Sequence, residues 1–217
     1  MRNIAIKKAV SILENQYGVV FEELTALDFF ARDASWQTVY YANKVKKIYA
    51  WEVENKFKND LINNLPPQSQ VVIGDSHELI LKEFQKFDLI VIDNPQGCYG
   101  SNKQYCEHFE ALPLCLKNTS DNPIVLFNVK TKPFNYEDKS LWQNERQKFY
   151  KKSNCSNLSL EFMHEFYSNL FKDAMFDTKF GFDLLRPQED GLHLFVYGLS
   201  KNRERIINKN DSRKHHG

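Results

Sequence analysis

Residues 87–97 read FDLIVIDNPQG, an unbroken apolar run that stops on an acid, an amide and a proline. Consecutive Leu, Ile, Val and Ile at 89–92 suit a strand covered on both faces, the environment of a parallel sheet. Asp93, Asn94 and Pro95 then stand where the chain leaves the sheet's carboxyl edge, which is where open α/β sheets bind their ligands. Polar chemistry is expected at the mouth of an apolar core.

Working outward, apolar positions at 4, 6, 9, 10, 12 and 13 predict an amphipathic helix over 4–16, with Gly18 as its stop. Short strands are expected at 24–30, 47–53 and 71–73, with helical spacing over 36–43, 55–65 and 77–84 between and after them. Pro66 and Pro67 end the second of these helices. A polar, aromatic loop follows through Tyr105, then a helix over 109–116, a strand over 123–129 and helices over 140–152 and 158–176. Strands 180–185 and 192–199, joined by the turn-rich 186–191, should form an antiparallel hairpin. Alternating strands and helices predict an α/β architecture: a doubly wound, mostly parallel seven-stranded sheet with a C-terminal antiparallel hairpin and helices on both faces. No linker or repeat divides the chain, so one domain over 1–200 is expected, opened by an N-terminal helix (1–18) and followed by a basic tail (201–217).

At 217 residues the chain can bury a substantial core, and 29 Lys and Arg against 28 Asp and Glu leave no bulk attraction to nucleic acid or membrane. The tail is the exception, with Lys201, Arg203, Arg205, Lys209, Arg213 and Lys214 against Glu204 and Asp211. It reads as a solvated terminus or as a phosphate-contacting arm. No apolar run spans a bilayer, and MRNIAIKK lacks a secretory core, so the cytoplasm is the expected compartment. Cys98, Cys106, Cys115 and Cys155 have no C-x-x-C spacing and read as free thiols. Cys106 and His108 are not completed by a second ligand pair, so no metal is expected.

Each of the first four strands delivers an acid or amide to the same edge: Asp28, Glu52, Asp75 and the Asp93–Asn94 pair. Glu52 is placed to accept ribose hydroxyls, or is simply an acid ending a strand. Asp75 either meets an adenine amine or caps the next helix together with Ser76. Asp28 either touches a ligand or organises its own loop. Backbone amides opening a helix at Ser35 and Trp36 could receive an anion. Asp93 and Asn94 belong to a reaction centre or to a turn before Pro95. In the loop beyond, His108 is a candidate general base or a helix-start residue bonded to a neighbour. Asn128 and Lys130 end the fifth strand at the same edge and could contact substrate.

This order of strand ends resembles the class I S-adenosylmethionine-dependent methyltransferases, across about residues 20–200. The resemblance implies a Rossmann-like fold, S-adenosylmethionine as cofactor and methyl transfer as the activity. It places Asp28, Phe30, Ala31, Arg32, Ser35 and Trp36 in the first motif around the methionine moiety, with Arg32 a candidate partner either for its carboxylate or for Asp33 or Asp28. It places Glu52 on the ribose, Asp75 and Ser76 on the adenine, and Asp93, Asn94 and Pro95 in the fourth, catalytic motif. The chain departs from the pattern twice. Its first loop, Ala31-Arg32-Asp33-Ala34-Ser35, has no glycine, and Gln96 stands where amine-methylating enzymes put an aromatic ring, leaving Tyr99 as a substitute. The implied acceptor is a nitrogen, in nucleic acid as an adenine-type amine or in a small molecule. The alternative is a catalytically degenerate methyltransferase-fold partner subunit.

Overall fold

The computed structural model describes residues 5–134, 141–187 and 189–203. Its strands are β1 (Thr25–Asp28), β2 (Lys47–Glu52), β3 (Gln70–Ile73), β4 (Phe87–Ile92), β5 (Cys98–Tyr99), β6 (Tyr105–Cys106), β7 (Thr119–Lys130), β8 (Phe176–Leu185) and β9 (Leu192–Lys201). Its helices are α1 (Ala5–Tyr17), α2 (Lys58–Asn64), α3 (Ser76–Lys82), α4 (Ala111–Leu116), α5 (Leu141–Tyr150) and α6 (Leu160–Asp173). Residues 204–217, most of the basic tail, lie outside the described residues, as do Ile4 and Ser140 from the expected helix starts.

Successive side chains of β4 point to opposite faces, and both faces are apolar. Leu89 and Val91 pack with Ala26, Ile48 and Ala50 beneath α1 and α2. Ile90 and Ile92 pack with Leu27, Trp51 and Phe127 beneath α3 to α6. A strand so placed needs an apolar residue at every position, which is what 89–92 supply. Each such side chain contributes about 1.5–3 kcal/mol on burial.

The large sheet runs β3-β2-β1-β4-β7-β9-β8. Pairings β1–β2, β2–β3, β1–β4 and β4–β7 are parallel, while β9 runs antiparallel to both β7 and β8. The antiparallel strand is therefore inserted inside the sheet, and β8 forms the edge. On that edge Tyr17 of α1 stacks on Phe180, with ring centroids 3.9 Å apart. Among the described residues no helix is long and apolar enough to cross a membrane.

Two expectations fail locally. The helical spacing at 36–43 yields only a single 3-10 turn, Thr38–Tyr40, because Thr38 and Tyr41 turn their hydroxyls onto Asp28 instead of continuing a helix. The loop after β4 contains a small hairpin, β5 paired with β6, with Cys98 opposite Cys106 and Tyr99 opposite Tyr105.

Beneath that hairpin lies a wholly buried ion pair. Arg146 of α5 donates to Glu107 Oε1 at 2.6 Å and to the Lys130 carbonyl at 2.7 Å, while Trp142 Nε1 donates to the same Glu107 oxygen. Both charged side chains have zero exposure. This pair fastens α5 to the end of β7 and to the loop after β4. Removing one partner strands the other charge in the core. Arg146→Met is expected to lower unfolding free energy by about 3–5 kcal/mol, and Glu107→Gln added to it should recover part of that loss. Urea titrations of the single and double variants measure both.

Candidate active site at the carboxyl edge

A cavity of about 750 Å³ opens beyond the carboxyl ends of β1, β4 and β7. It lies where the strand order reverses, with β2 and β3 on one side of β1 and β4 and β7 on the other. One wall is the turn after β1, with Asp28, Phe30, Ala31, Arg32, Asp33, Trp36, Gln37 and Thr38. Asp93, Asn94, Pro95 and Gln96 form the floor after β4. The far wall is Asn128 and Lys130 of β7, Lys132 to Phe134, and Arg186, Glu189 and Asp190 from the β8–β9 link.

Asp28 is almost fully buried. Its Oδ2 accepts hydrogen bonds from Thr38 Oγ1 and Tyr41 Oη, both at 2.6 Å, and its Oδ1 has no partner. Burial pushes its pKa up to about 6; the two hydroxyls pull it back, and nearby Asp93 adds repulsion. A carboxyl titrating near neutrality inside a cleft is the kind of group active sites use.

The glycine-free loop keeps the backbone path that glycine usually permits. Arg32 and Ala34 both sit in the left-handed region, at φ of 51° and 56°. Glu52 holds Arg32 there, and the Ala34 amide bonds the Ala31 carbonyl. Glu52 Oε2 accepts the Arg32 amide at 2.8 Å while Oε1 accepts the Glu54 amide at 2.7 Å. Asn64 donates to the Asp33 carbonyl, and Asp33 Oδ1 accepts the Ser35 amide. A non-glycine residue in this region costs about 1–2 kcal/mol, a load the Glu52 latch offsets.

Asp93 is the hub of the floor. Gln37 Nε2 donates to its Oδ2 at 2.9 Å, and Asn128 Nδ2 and Arg186 donate to its Oδ1 at 2.5 and 2.7 Å. Arg186 also donates to Asn128 Oδ1, and the Asn128 amide donates to Asn94 Oδ1 at 3.1 Å. Asn94 is buried, its amide group turned to the Pro95 carbonyl. Sequence reasoning missed Arg186, which it read as part of a link. It named Gln96 only for the aromatic ring missing there, and Gln37 not at all.

The remaining sequence candidates lie outside the cavity lining. Glu52 accepts one backbone amide on each oxygen, Arg32 on the first loop and Glu54 after β2. Asp75 caps α3 by accepting the His77 amide at 2.9 Å, and Tyr105 Oη donates to its other oxygen at 3.3 Å. The Tyr105 ring stacks on His77 at 3.6 Å. Ser76 donates to the Phe29 carbonyl, tying α3 to the end of β1. The expected anion site at Ser35 and Trp36 does not form, since no α-helix starts there and the Ser35 amide is already bonded to Asp33. Tyr99 donates to the Glu107 carbonyl and packs on Phe30, away from the floor. His108 is corrected most sharply. It is fully buried against Phe127, with Nε2 2.6 Å from the Tyr167 hydroxyl. Burial, and next the Arg146 charge, push its pKa down to about 3, so it is a neutral core residue that does not reach the cavity.

No protein-family model and no curated protein matches the chain. Solved structures do. A Clostridium thermocellum protein described provisionally as an rRNA methylase superposes with a TM-score of 0.57 at 10% identity, covering 92% of this chain and 98% of that one. M. jannaschii TYW2 in complex with AdoMet gives 0.55 at 12% identity, covering 90% and 74%. An rRNA methylase from Streptococcus thermophilus gives 0.50 at 11%, covering 85% and 90%. At such low identity these likenesses show the fold alone, here a seven-stranded α/β sheet with an internal antiparallel strand.

Two outcomes follow from the site's energetics. Replacing Ala34 by Gly should raise stability by up to about 1 kcal/mol, and Ala34→Val should lower it, as read by thermal unfolding. Asp28 has its folded pKa raised from 3.8 to about 6, so its charge opposes folding as pH climbs through that window and fully so above it. The cost is on the order of 3 kcal/mol. Asp28→Asn should therefore melt higher than the parent at pH 8, with the gap closing near pH 4.

Proposed function

We propose that this chain is an S-adenosylmethionine-dependent methyltransferase whose acceptor is a nitrogen, in nucleic acid or in a small molecule. The observation that carries the reading is the cavity at the reversal point of the sheet, with Asp28 buried in its wall and one carboxyl oxygen unpartnered. Solved neighbours of this fold include one described provisionally as an rRNA methylase and another in complex with AdoMet.

The residues fit the methionine half of the cofactor. Asp28 Oδ1 can accept from its ammonium group, and Arg32, at the cavity wall, carries the charge to pair with its carboxylate. Five acids in the lining (Asp28, Asp33, Asp93, Glu189 and Asp190) against four bases (Arg32, Lys130, Lys132 and Arg186) suit a cationic sulfonium. Glu52 accepts one amide per oxygen, which leaves each oxygen a lone pair for a ribose hydroxyl. Bound there, S-adenosylmethionine supplies an electrophilic methyl group. The protein's own contribution is positioning: the Arg186–Asp93–Asn128 bonds fix the floor, and the Glu52 latch fixes the loop. Four cysteines with no C-x-x-C spacing suit a reducing compartment such as the cytoplasm.

A second reading, a non-catalytic partner subunit on this fold, draws on the engagement of Asp75 by Tyr105 and His77. Calorimetric titration separates the readings. S-adenosylmethionine and S-adenosylhomocysteine should both bind, Glu52→Ala should weaken both by unlatching Arg32, and Asp28→Ala should weaken both further. Absence of heat at millimolar ligand would sink the methyltransferase reading.

A further inference from the structure

The β5–β6 hairpin sets two sulfurs against each other. Cys98 stands directly opposite Cys106, and Cys98 Sγ donates to Cys106 Sγ at 3.2 Å. The Glu107 amide donates to the Gly97 carbonyl at 2.9 Å, so the cysteines fall at the next, non-hydrogen-bonded position, where facing side chains come closest. Opposed Cα atoms in an antiparallel pair lie about 4.5–5.5 Å apart, inside the roughly 4.4–6.8 Å that a disulfide spans. A bond between these sulfurs therefore needs no rearrangement of either strand. The two differ in access. Cys98 is half-buried and Cys106 is buried, so an incoming reagent reaches Cys98 first.

The element such a bond fastens is short. A hairpin with two paired residues on each strand is marginal by itself. It nevertheless carries Tyr105, which rests on Asp75 and His77, and it runs directly into Glu107 of the buried ion pair. Lys103 and Glu107 both stand in the left-handed region, at φ of 53° and 46°. Backbone of that kind persists only while its surroundings hold it. A covalent link from 98 to 106 encloses the turn and removes the open conformations of the hairpin.

We propose that Cys98 and Cys106 are a dithiol redox site whose disulfide locks the β5–β6 hairpin, and Tyr105 with it, over Asp75. The oxidant is a low-molecular-weight disulfide. The Cys98 thiolate attacks one of its sulfurs, forming a mixed disulfide and expelling a thiolate, which takes up the proton that Cys98 lost. The Cys106 thiolate then attacks Cys98 Sγ, and the second small thiol leaves with the Cys106 proton. The two cysteines give up two electrons and two protons, and the small disulfide receives both. Burial pushes both cysteine thiols up, so attacking thiolate is scarce near neutral pH and the exchange is slow. The 3.2 Å contact favours the second step by proximity. Resting on the methyl-transfer reading, whose resemblance puts the adenine at Asp75, the locked hairpin restrains that end of the site and oxidation lowers cofactor affinity.

Glutathione disulfide is the probe, read by intact mass and tryptic mapping. The treated chain should lose two hydrogens and retain no glutathione, and peptides 87–103 and 104–117 should stay joined until dithiothreitol is added. Cys115→Ser should give the same result, which assigns the link to Cys106. Cys106→Ser should trap glutathione on Cys98, and Cys98→Ser should form no link. Amide hydrogen exchange over 97–107 should slow severalfold in the oxidised protein. A link that survives Cys98→Ser, glutathione that stays on Cys98 with Cys106 intact, or unchanged exchange overturns the proposal. Calorimetry reads the consequence. Oxidised protein should bind S-adenosylhomocysteine severalfold more weakly than reduced protein, and Cys98→Ser should bind it alike before and after treatment. Equal binding by the oxidised and reduced forms overturns the restraint on the site. If the disulfide forms and neither form binds, the methyl-transfer reading falls and the redox site stands.

Discussion

Arg186 binding to Asp93 and Asn128 is the interaction on which the rest of the site depends. Three strand ends meet in it: β4 through Asp93, β7 through Asn128 and the β8–β9 hairpin through Arg186. Gln37 joins from the loop after β1. A guanidinium in contact with both a carboxylate and an amide carbonyl demands fixed geometry, and it is buried, so water does not compete. The floor of the cavity is therefore set by a contact between residues 93 positions apart in the chain.

That sequence separation explains what could and could not be read from the chain. β4 was legible because burial on both faces leaves a local signature, an apolar residue at every position. The terminal hairpin was legible from two β-prone runs around a turn, although its placement inside the sheet depends on β7 pairing, which leaves no mark in 192–199. Asp28 lines the cavity because it directly ends a strand. Arg186 could not be found the same way, since an arginine in a link reads as a solvated charge until its partners are known.

The failures near Trp36 and His108 share a cause. At 36–43 the spacing is helical, yet two hydroxyls on that segment gain more by bonding a buried carboxylate than by continuing a helix. His108 sits in a loop with functional-looking neighbours, but Phe127, Phe149 and Tyr167 enclose it, and enclosure is a property of the packing. The absent glycines are the reverse case. The sequence reads as a loop without the residue that left-handed backbone favours, yet Arg32 and Ala34 both adopt that backbone, and Glu52, 20 positions away, holds the Arg32 amide.

Tyr105 has a consequence for whatever approaches Asp75. Its ring is stacked on His77 and its hydroxyl is bonded to the carboxylate, so an incoming ring meets a resident one tethered through a short hairpin. A tethered group acts as an internal rival present at an effective concentration on the order of millimolar. The apparent affinity of a ligand at Asp75 is then scaled by the fraction of time the tyrosine stands aside, which makes the β5–β6 hairpin a dial on occupancy rather than a wall.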